Sequence, residues 1–241
     1  MKNTTEVQKT NKTIVLVAGD KGGVGKSCLA RAIASYLIEN GVRYRGYDGD
    51  DTNPTFFRFF PDVQRIHTKS PKGFEALING LEGDEPCQLA DLGAGTSIVL
   101  GQFIDQTGFL ELAASYGSRI VFVFVLAPGA DSAGLLQILA ERYGNKVTYV
   151  IARSNAIPGT WDLWEGSKTR KRLLEDLGAV EIAIPALDAE AFSLADRHSL
   201  QWTAAATDKR LPLACRSYVH RWINKVYVEF GKVPALTGQA T

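Results

Sequence analysis

Residues 14–27 read Ile-Val-Leu-Val-Ala-Gly-Asp-Lys-Gly-Gly-Val-Gly-Lys-Ser. The apolar run Ile14 to Ala18 predicts a buried strand. Gly22, Gly23 and Gly25 predict a tight turn after it. From Ser27 to about residue 40, Leu29, Ile33 and Leu37 recur on one helical face, and Gly41 supplies the stop. A strand running through bare glycines into a lysine, a hydroxyl and a helix is suited to holding phosphate. Glycine lets backbone N–H groups close around phosphate oxygens, where a side chain would block the approach. Lys26 can reach the β- and γ-phosphates, and the Ser27 hydroxyl can ligate Mg²⁺. The helix N-terminus adds partial positive charge. The stretch predicts binding of a nucleoside triphosphate.

Outward from it, apolar runs alternate with helical patterns. Strands are expected near 42–47 (ending at Asp48), Cys87 to Ala90 (ending at Asp91), 119–127, Val147 to Ala152, and Val180 to Ile184, the last closed by Pro185. Helices are expected through Leu135, Leu136, Leu139 and Tyr143, over 167–177, and over about 211–230. Alternation of this kind predicts an α/β fold, a mostly parallel, doubly wound sheet flanked by helices. The chain of 241 residues suits a single such domain over 13–232, with 1–12 and 233–241 as flexible tails.

Lys and Arg number 27 against 26 Asp and Glu, so any basic surface must be local. Cys28, Cys87 and Cys215 are too scattered for a disulfide framework or a C-x-x-C metal site, and His67, His198 and His220 are equally dispersed. No apolar run is long enough for a membrane span and no signal-peptide core opens the chain, which predicts a cytoplasmic protein.

In open α/β sheets ligands bind at the carboxyl ends of strands. Three features are expected there: the glycine loop, Asp48-Gly49-Asp50-Asp51, and Asp91. Carboxylates at strand ends can help hold Mg²⁺ and orient a water.

The ordinary phosphate loop is G-x-x-x-x-G-K-[ST]. Here Asp20 takes the first glycine position, where a carboxylate would repel phosphate, and a second lysine, Lys21, opens the loop. That arrangement resembles the deviant Walker A motif of the ParA/MinD group of P-loop ATPases. The resemblance implies ATP and Mg²⁺, with Gly22, Gly23, Val24, Gly25, Lys26, Ser27 and Cys28 around the phosphates. It also implies a homodimer in the ATP state, in which Lys21 reaches the partner's nucleotide. Asp91 opens Asp-Leu-Gly-Ala-Gly, similar to the family's Walker B segment, and would hold Mg²⁺ through water or fix Ser27. Asp48-Gly-Asp50 followed by Pro54 resembles switch I, which makes Asp50 the water-positioning carboxylate, with Asp51 an adjacent alternative. Catalysis is thereby assigned to Lys21, Lys26 and Asp50, and the metal to Ser27, Asp50 and Asp91. On the base side, Asn155 matches the family's adenine-side residue. Ile184-Pro185-Ala186-Leu187-Asp188 resembles its I-P-x-D segment with one residue extra, which places Pro185 and Asp188 near the base. The resemblance covers about residues 13 to 205. Asp-x-Asp followed by Asn-x-Thr-Phe, together with Ile-Pro-Ala-Leu, looks most like plasmid StbB/TraL-type proteins of stability and conjugative transfer.

Other features bear on partners. Phe56, Phe57, Phe59 and Phe60 cannot all face one side of a short helix, so a core role for most and an exposed surface for some are both open. Trp161 and Trp164 fit either an interface or the core. Lys168, Arg170, Lys171 and Arg172, and Arg216, His220, Arg221 and Lys225 on the last helix, could bind a phosphate backbone nonspecifically. The expected partner is therefore nonspecific DNA, with nucleoid association as its consequence, or a plasmid-encoded DNA-binding protein. A MinD-like membrane contact is the lesser alternative. Two other readings are a nucleotide-gated binding module with little hydrolysis and an ATP-dependent ligase or kinase.

Overall fold

The computed structural model describes residues 12–19, 21–129 and 131–238. Seven strands form one sheet in the order β3-β2-β4-β1-β5-β6-β7, and every pairing is parallel. The strands are β1 (Lys12–Ala18), β2 (Tyr44–Asp48), β3 (Gln64–Arg65), β4 (Cys87–Asp91), β5 (Ser118–Leu126), β6 (Thr148–Ser154) and β7 (Val180–Ile184). Parallel strands covered on both faces read as continuous apolar runs. Within them alternate residues divide between two cores. Val15, Val17, Val121 and Val123 face one, and Ile14, Leu16, Phe122 and Phe124 face the other.

The first core is roofed by α1 (Lys26–Glu39) and α2 (Thr55–Phe59). The second is roofed by α3 (Glu75–Asn79), α4 (Ser97–Thr107), α5 (Phe109–Ser115), α6 (Asp131–Tyr143) and α7 (Asp162–Glu165), and α8 (Lys168–Lys171) lies against α6. The chain then returns to the first face with α9 (Ala189–Arg197), α10 (Trp202–Ala205) and α11 (Leu213–Phe230). Helices on both faces confirm the doubly wound reading.

Some local expectations change. The basic helix over 167–177 is α8 followed by a wider π-type turn, Arg172–Asp176, that buries Leu173. Three of the four phenylalanines behind β2 are core, and Phe57 is exposed. Of the expected N-terminal tail, Lys12 begins β1 and residues 1–11 lie outside the described residues. The expected C-terminal tail is a correction. Pro234–Thr237 form a 3-10 turn that buries Ala235 and Leu236 beside Val233 in the first core, because the apolar run after α11 has a hydrophobic slot to fill. Residues 239–241 lie outside the described residues.

Candidate functional site

The carboxyl ends of β1, β2 and β4 lie side by side at the centre of the sheet, where strand order reverses around β1. From β1 the chain enters the glycine loop, of which Asp20 lies outside the described residues. Gly23 and Gly25 have φ of 76° and 102°, a left-handed region that disfavours side chains. Gly19 is confined for a different reason. A Cβ there would sit 3.0 Å from the Val125 carbonyl oxygen and 3.2 Å from Lys26 Cδ. The Lys26 stem is thus held against the end of β1, buried, and its Nζ donates to the Lys21 carbonyl at 2.8 Å. The loop wraps around the Lys26 ammonium, while Lys21, Gly22 and Gly23 form an exposed rim.

Asp91 ends β4 behind this loop and is 1 % exposed. Both of its carboxylate oxygens are buried without a hydrogen-bond donor. Burial pushes the carboxyl up to about 7. The Ser27 hydroxyl draws it down without completing a hydrogen bond, and the Lys26 ammonium draws it down further, while the neighbouring Asp48 and Asp50 carboxylates raise it. An unpartnered buried carboxylate is costly, and a hard cation with oxygen ligands would relieve it. Among the described residues no three His, Cys, Asp or Glu are arranged as a metal site. Mg²⁺ in nucleotide sites takes only one or two carboxylates, with phosphates and water completing its shell. The donors present fit that ion.

The two carboxylates after β2 differ in their commitments. Asp50 Oδ1 accepts from the Thr52 and Asn53 backbone N–H groups at 2.9 and 3.0 Å, which fixes its orientation. Asp51 is bonded to His67 Nδ1 at 2.9 Å and lies 3.9 Å from Lys69 Nζ. Asp48 straps the loop together. Its Oδ1 accepts from Asp50 N and its Oδ2 from Phe57 N, each at 2.9 Å.

Beside the loop, a mainly apolar recess of about 290 Å³ is lined by Gly23, Val24, Gly25, Cys28, Ser154, Pro185, Leu187, Phe192 and Trp222, among others. Burial pushes the Cys28 thiol up to about 11, so it is a neutral wall. Of the three residues expected near the base, Pro185 lines this recess and its carbonyl is held by Trp222 Nε1 at 2.7 Å. Asn155 and Asp188 do not line it. Asn155 Oδ1 accepts from Trp161 Nε1 at 3.3 Å. Asp188 caps α9 through Ala191 N at 2.9 Å, which commits its side chain to the helix although its neighbours Leu187 and Ala189 both line the recess. Phe192 and Trp222 were not anticipated at this site. Trp222 repeats at helical spacing with Val219 and Val226, which marked it only as core.

Residues 13–150 match the family model described as ATPase MipZ. The chain belongs to the MipZ ATPase family. It is a ParA/MinD-type P-loop ATPase, and it is related to MobD and TraL proteins. It is 25% identical over 223 residues to protein MobD of Acidithiobacillus ferrooxidans, covering 89% of this chain and 94% of MobD. It is 26% identical over 147 residues to protein TraL of Escherichia coli, covering 57% of this chain and 61% of TraL. MinD of Pyrococcus horikoshii, solved with Mg-ADP, aligns at 14% identity with a TM-score of 0.49, covering 89% of this chain and 95% of that one.

The two basic stretches of this ATPase are not equivalent. Arg170 Nε lies 3.0 Å from Glu181, Lys171 lies 3.9 Å from Glu175, and Arg172 donates to the Ala140 carbonyl at 3.4 Å. Arg221 and Lys225 on α11 are exposed, and neither has an ion pair among the described residues. Trp164 is core, with Nε1 donating to Glu181 at 2.8 Å, and Trp161 is half-buried beneath Arg153. No described helix is long and apolar enough to cross a membrane.

Proposed function

We propose that this ATPase is a dimerisation switch, assembled by Mg·ATP and released by slow hydrolysis, that serves plasmid stability, positioning or transfer from the cytoplasm. The observation that carries the reading is the donorless Asp91 carboxylate behind Ser27 and Lys26. It is a buried carboxyl left for a cation where the loop would hold phosphates.

In this reading the amides of Gly22 to Cys28 and the Lys26 ammonium hold the phosphates, and the recess bounded by Pro185 takes the base. Ser27, Asp91 and Asp50 are the residues that would hold Mg²⁺, which would supply positive charge against the phosphates. Asp50, oriented by its two backbone donors, positions the attacking water, and Asp51 is spent on His67 and Lys69. Lys21, on the exposed rim, reaches the partner protomer's phosphates. The names MobD and TraL support a task in mobilisation or transfer. Arg221 and Lys225 support contact with DNA by the dimer.

The test is phosphate release over multiple turnovers together with light scattering after chromatography. Lys26→Ala should abolish nucleotide binding. Asp50→Ala should bind ATP, stop turnover and accumulate as a dimer that co-sediments with DNA. An Asp50→Ala protein that stays monomeric at saturating Mg·ATP refutes the switch. Tight binding without turnover in the native protein would mark a nucleotide-gated scaffold instead.

A further inference from the structure

Arg31 lies on α1, five positions beyond Lys26, and is 1 % exposed. Its guanidinium is sandwiched between two rings, with Cζ 3.2 Å from the Phe59 centroid and 4.1 Å from that of Trp202. Nη2 donates to the Leu200 carbonyl at 3.2 Å, Nη1 is 4.0 Å from a half-exposed Asp196 oxygen, and Nε is buried without a partner. Burial pushes its pKa down to about 10. Desolvation of a buried cation offsets much of what its ring, carbonyl and carboxylate contacts return, and apolar replacement of buried ionic groups is often neutral or better. Its position therefore calls for a role beyond packing.

Phe59 is on α2, the short helix that follows Asp48–Asp50. Beyond the burial of Phe56 and Phe59 in the first core, three contacts tie that helix to its neighbours: the Arg31–Phe59 stack, the Arg58–Asp196 ion pair and the bond from Gln201 Nε2 to the Phe59 carbonyl at 3.1 Å. α2 is tied in turn to the acidic loop by Phe57 N and Asp48 Oδ2. A continuous chain of contacts thus runs from the phosphate-loop helix through Arg31, Phe59 and Asp48 to the Asp50 backbone.

We infer that Arg31 is a positioning residue, which holds α2 against α1 and so sets Asp50 relative to Lys26 and Ser27. The inference rests on the hydrolytic reading of Asp50. The test compares Arg31→Met, Arg31→Lys and Phe59→Leu with the native chain in steady-state turnover, Mg·ATP binding, melting, and hydrogen exchange of residues 50–60 with a non-hydrolysed ATP analogue and Mg²⁺. Arg31→Met should melt no lower than the native protein and bind Mg·ATP with an unchanged Kd. Its kcat should fall by about tenfold or more, and the nucleotide-induced protection of residues 50–60 should be lost. Arg31→Lys should not rescue it, since an ammonium cannot stack as a planar guanidinium does. Should Arg31→Met fail to fold, Phe59→Leu reads the same link from the other side. Native kcat and native protection in Arg31→Met or Phe59→Leu overturn the inference alone. A native protein that binds Mg·ATP with neither turnover nor protection of 50–60 overturns the hydrolytic reading with it.

Discussion

Asp91→Asn should stabilise the nucleotide-free protein while removing its response to magnesium. The carboxyl is buried with no donor to either oxygen, and burial raises it from 3.8 to about 7. A shift of roughly three units corresponds to about 4 kcal/mol against the charged form. An asparagine amide must still be buried incompletely bonded, which returns about 1–3 kcal/mol of that. The net gain at pH 8 is then about 1–3 kcal/mol, or a melting point higher by roughly 2–10 °C for a chain of this size. The pH dependence follows from the direction of the shift. Between about pH 4 and 7 the folded state holds a proton the unfolded state has lost, so native stability declines as pH rises through that window and is level above it. The advantage of Asp91→Asn should therefore shrink by about 2 kcal/mol between pH 8 and pH 5.5. Differential scanning fluorimetry at the two pH values, with and without Mg²⁺ and a non-hydrolysed ATP analogue, measures all of this. The native protein should gain an increment from Mg²⁺ beyond nucleotide alone, and Asp91→Asn should gain none. A variant that melts below the native protein at pH 8 without ligand, or an advantage that does not shrink at pH 5.5, would refute the claim that Asp91 is an uncompensated buried charge.

Three further outcomes are expected. Gly19→Ala forces a Cβ to within 3.0 Å of the Val125 carbonyl oxygen and 3.2 Å of Lys26 Cδ; it should weaken nucleotide binding by about tenfold or more, and an unchanged Kd by calorimetry would show that Gly19 does not set the lysine. Ser199 has a φ of 50° at the exit of α9, a conformation costing a non-glycine residue about 1 kcal/mol. Ser199→Gly should accordingly raise the melting point by about 2–4 °C without altering nucleotide affinity. Deletion of residues 233–241 removes buried Val233, Ala235 and Leu236 and should lower stability by about 3–6 kcal/mol, measured by urea unfolding; a loss below about 1 kcal/mol would return this segment to the status of a tail.

The strands were legible because both faces of a parallel sheet are covered, and Ile14 to Ala18 or Ile120 to Leu126 must then be apolar without alternation. The phosphate loop was legible because backbone torsion forbids side chains at Gly23 and Gly25. β4 was fainter: it buries Gln88, whose Oε1 has no partner, and that polar residue interrupts the run. The base-side recess was only half legible. Its walls at Phe192 and Trp222 come from helices far along the chain, and spacing marks such residues as core without saying which cavity they border. The C-terminal turn was hidden by its brevity, since Val233, Ala235 and Leu236 show no period long enough to read. Arg31 was invisible for a related reason. It lies off the Leu29, Ile33, Leu37 stripe, where a helix usually meets water, and only the distant Phe59 and Trp202 enclose it.

Two buried charged side chains with unpartnered polar atoms, Asp91 and Arg31, both adjoin α1, and the field of Asp91 reaches Arg31. In a fold selected only for stability, either position would favour an apolar side chain. Asp91 faces the phosphate loop and has a function only when a cation arrives. Arg31 faces the helix that follows the acidic loop and has a function only if that helix must be held in a defined place. An equilibrium can be shifted by a ligand only to the extent that the ligand prefers one state. An unsatisfied carboxylate behind the phosphates gives Mg·ATP such a preference, and a stacked guanidinium on the far side of the same helix gives α2 a route by which to respond. Replacing both residues by Asn and Met should therefore produce a protein that melts higher than the native one yet no longer changes its exchange at residues 50–60 when Mg·ATP is added. A double variant that melts higher and still responds would show that these charges are incidental to the switch.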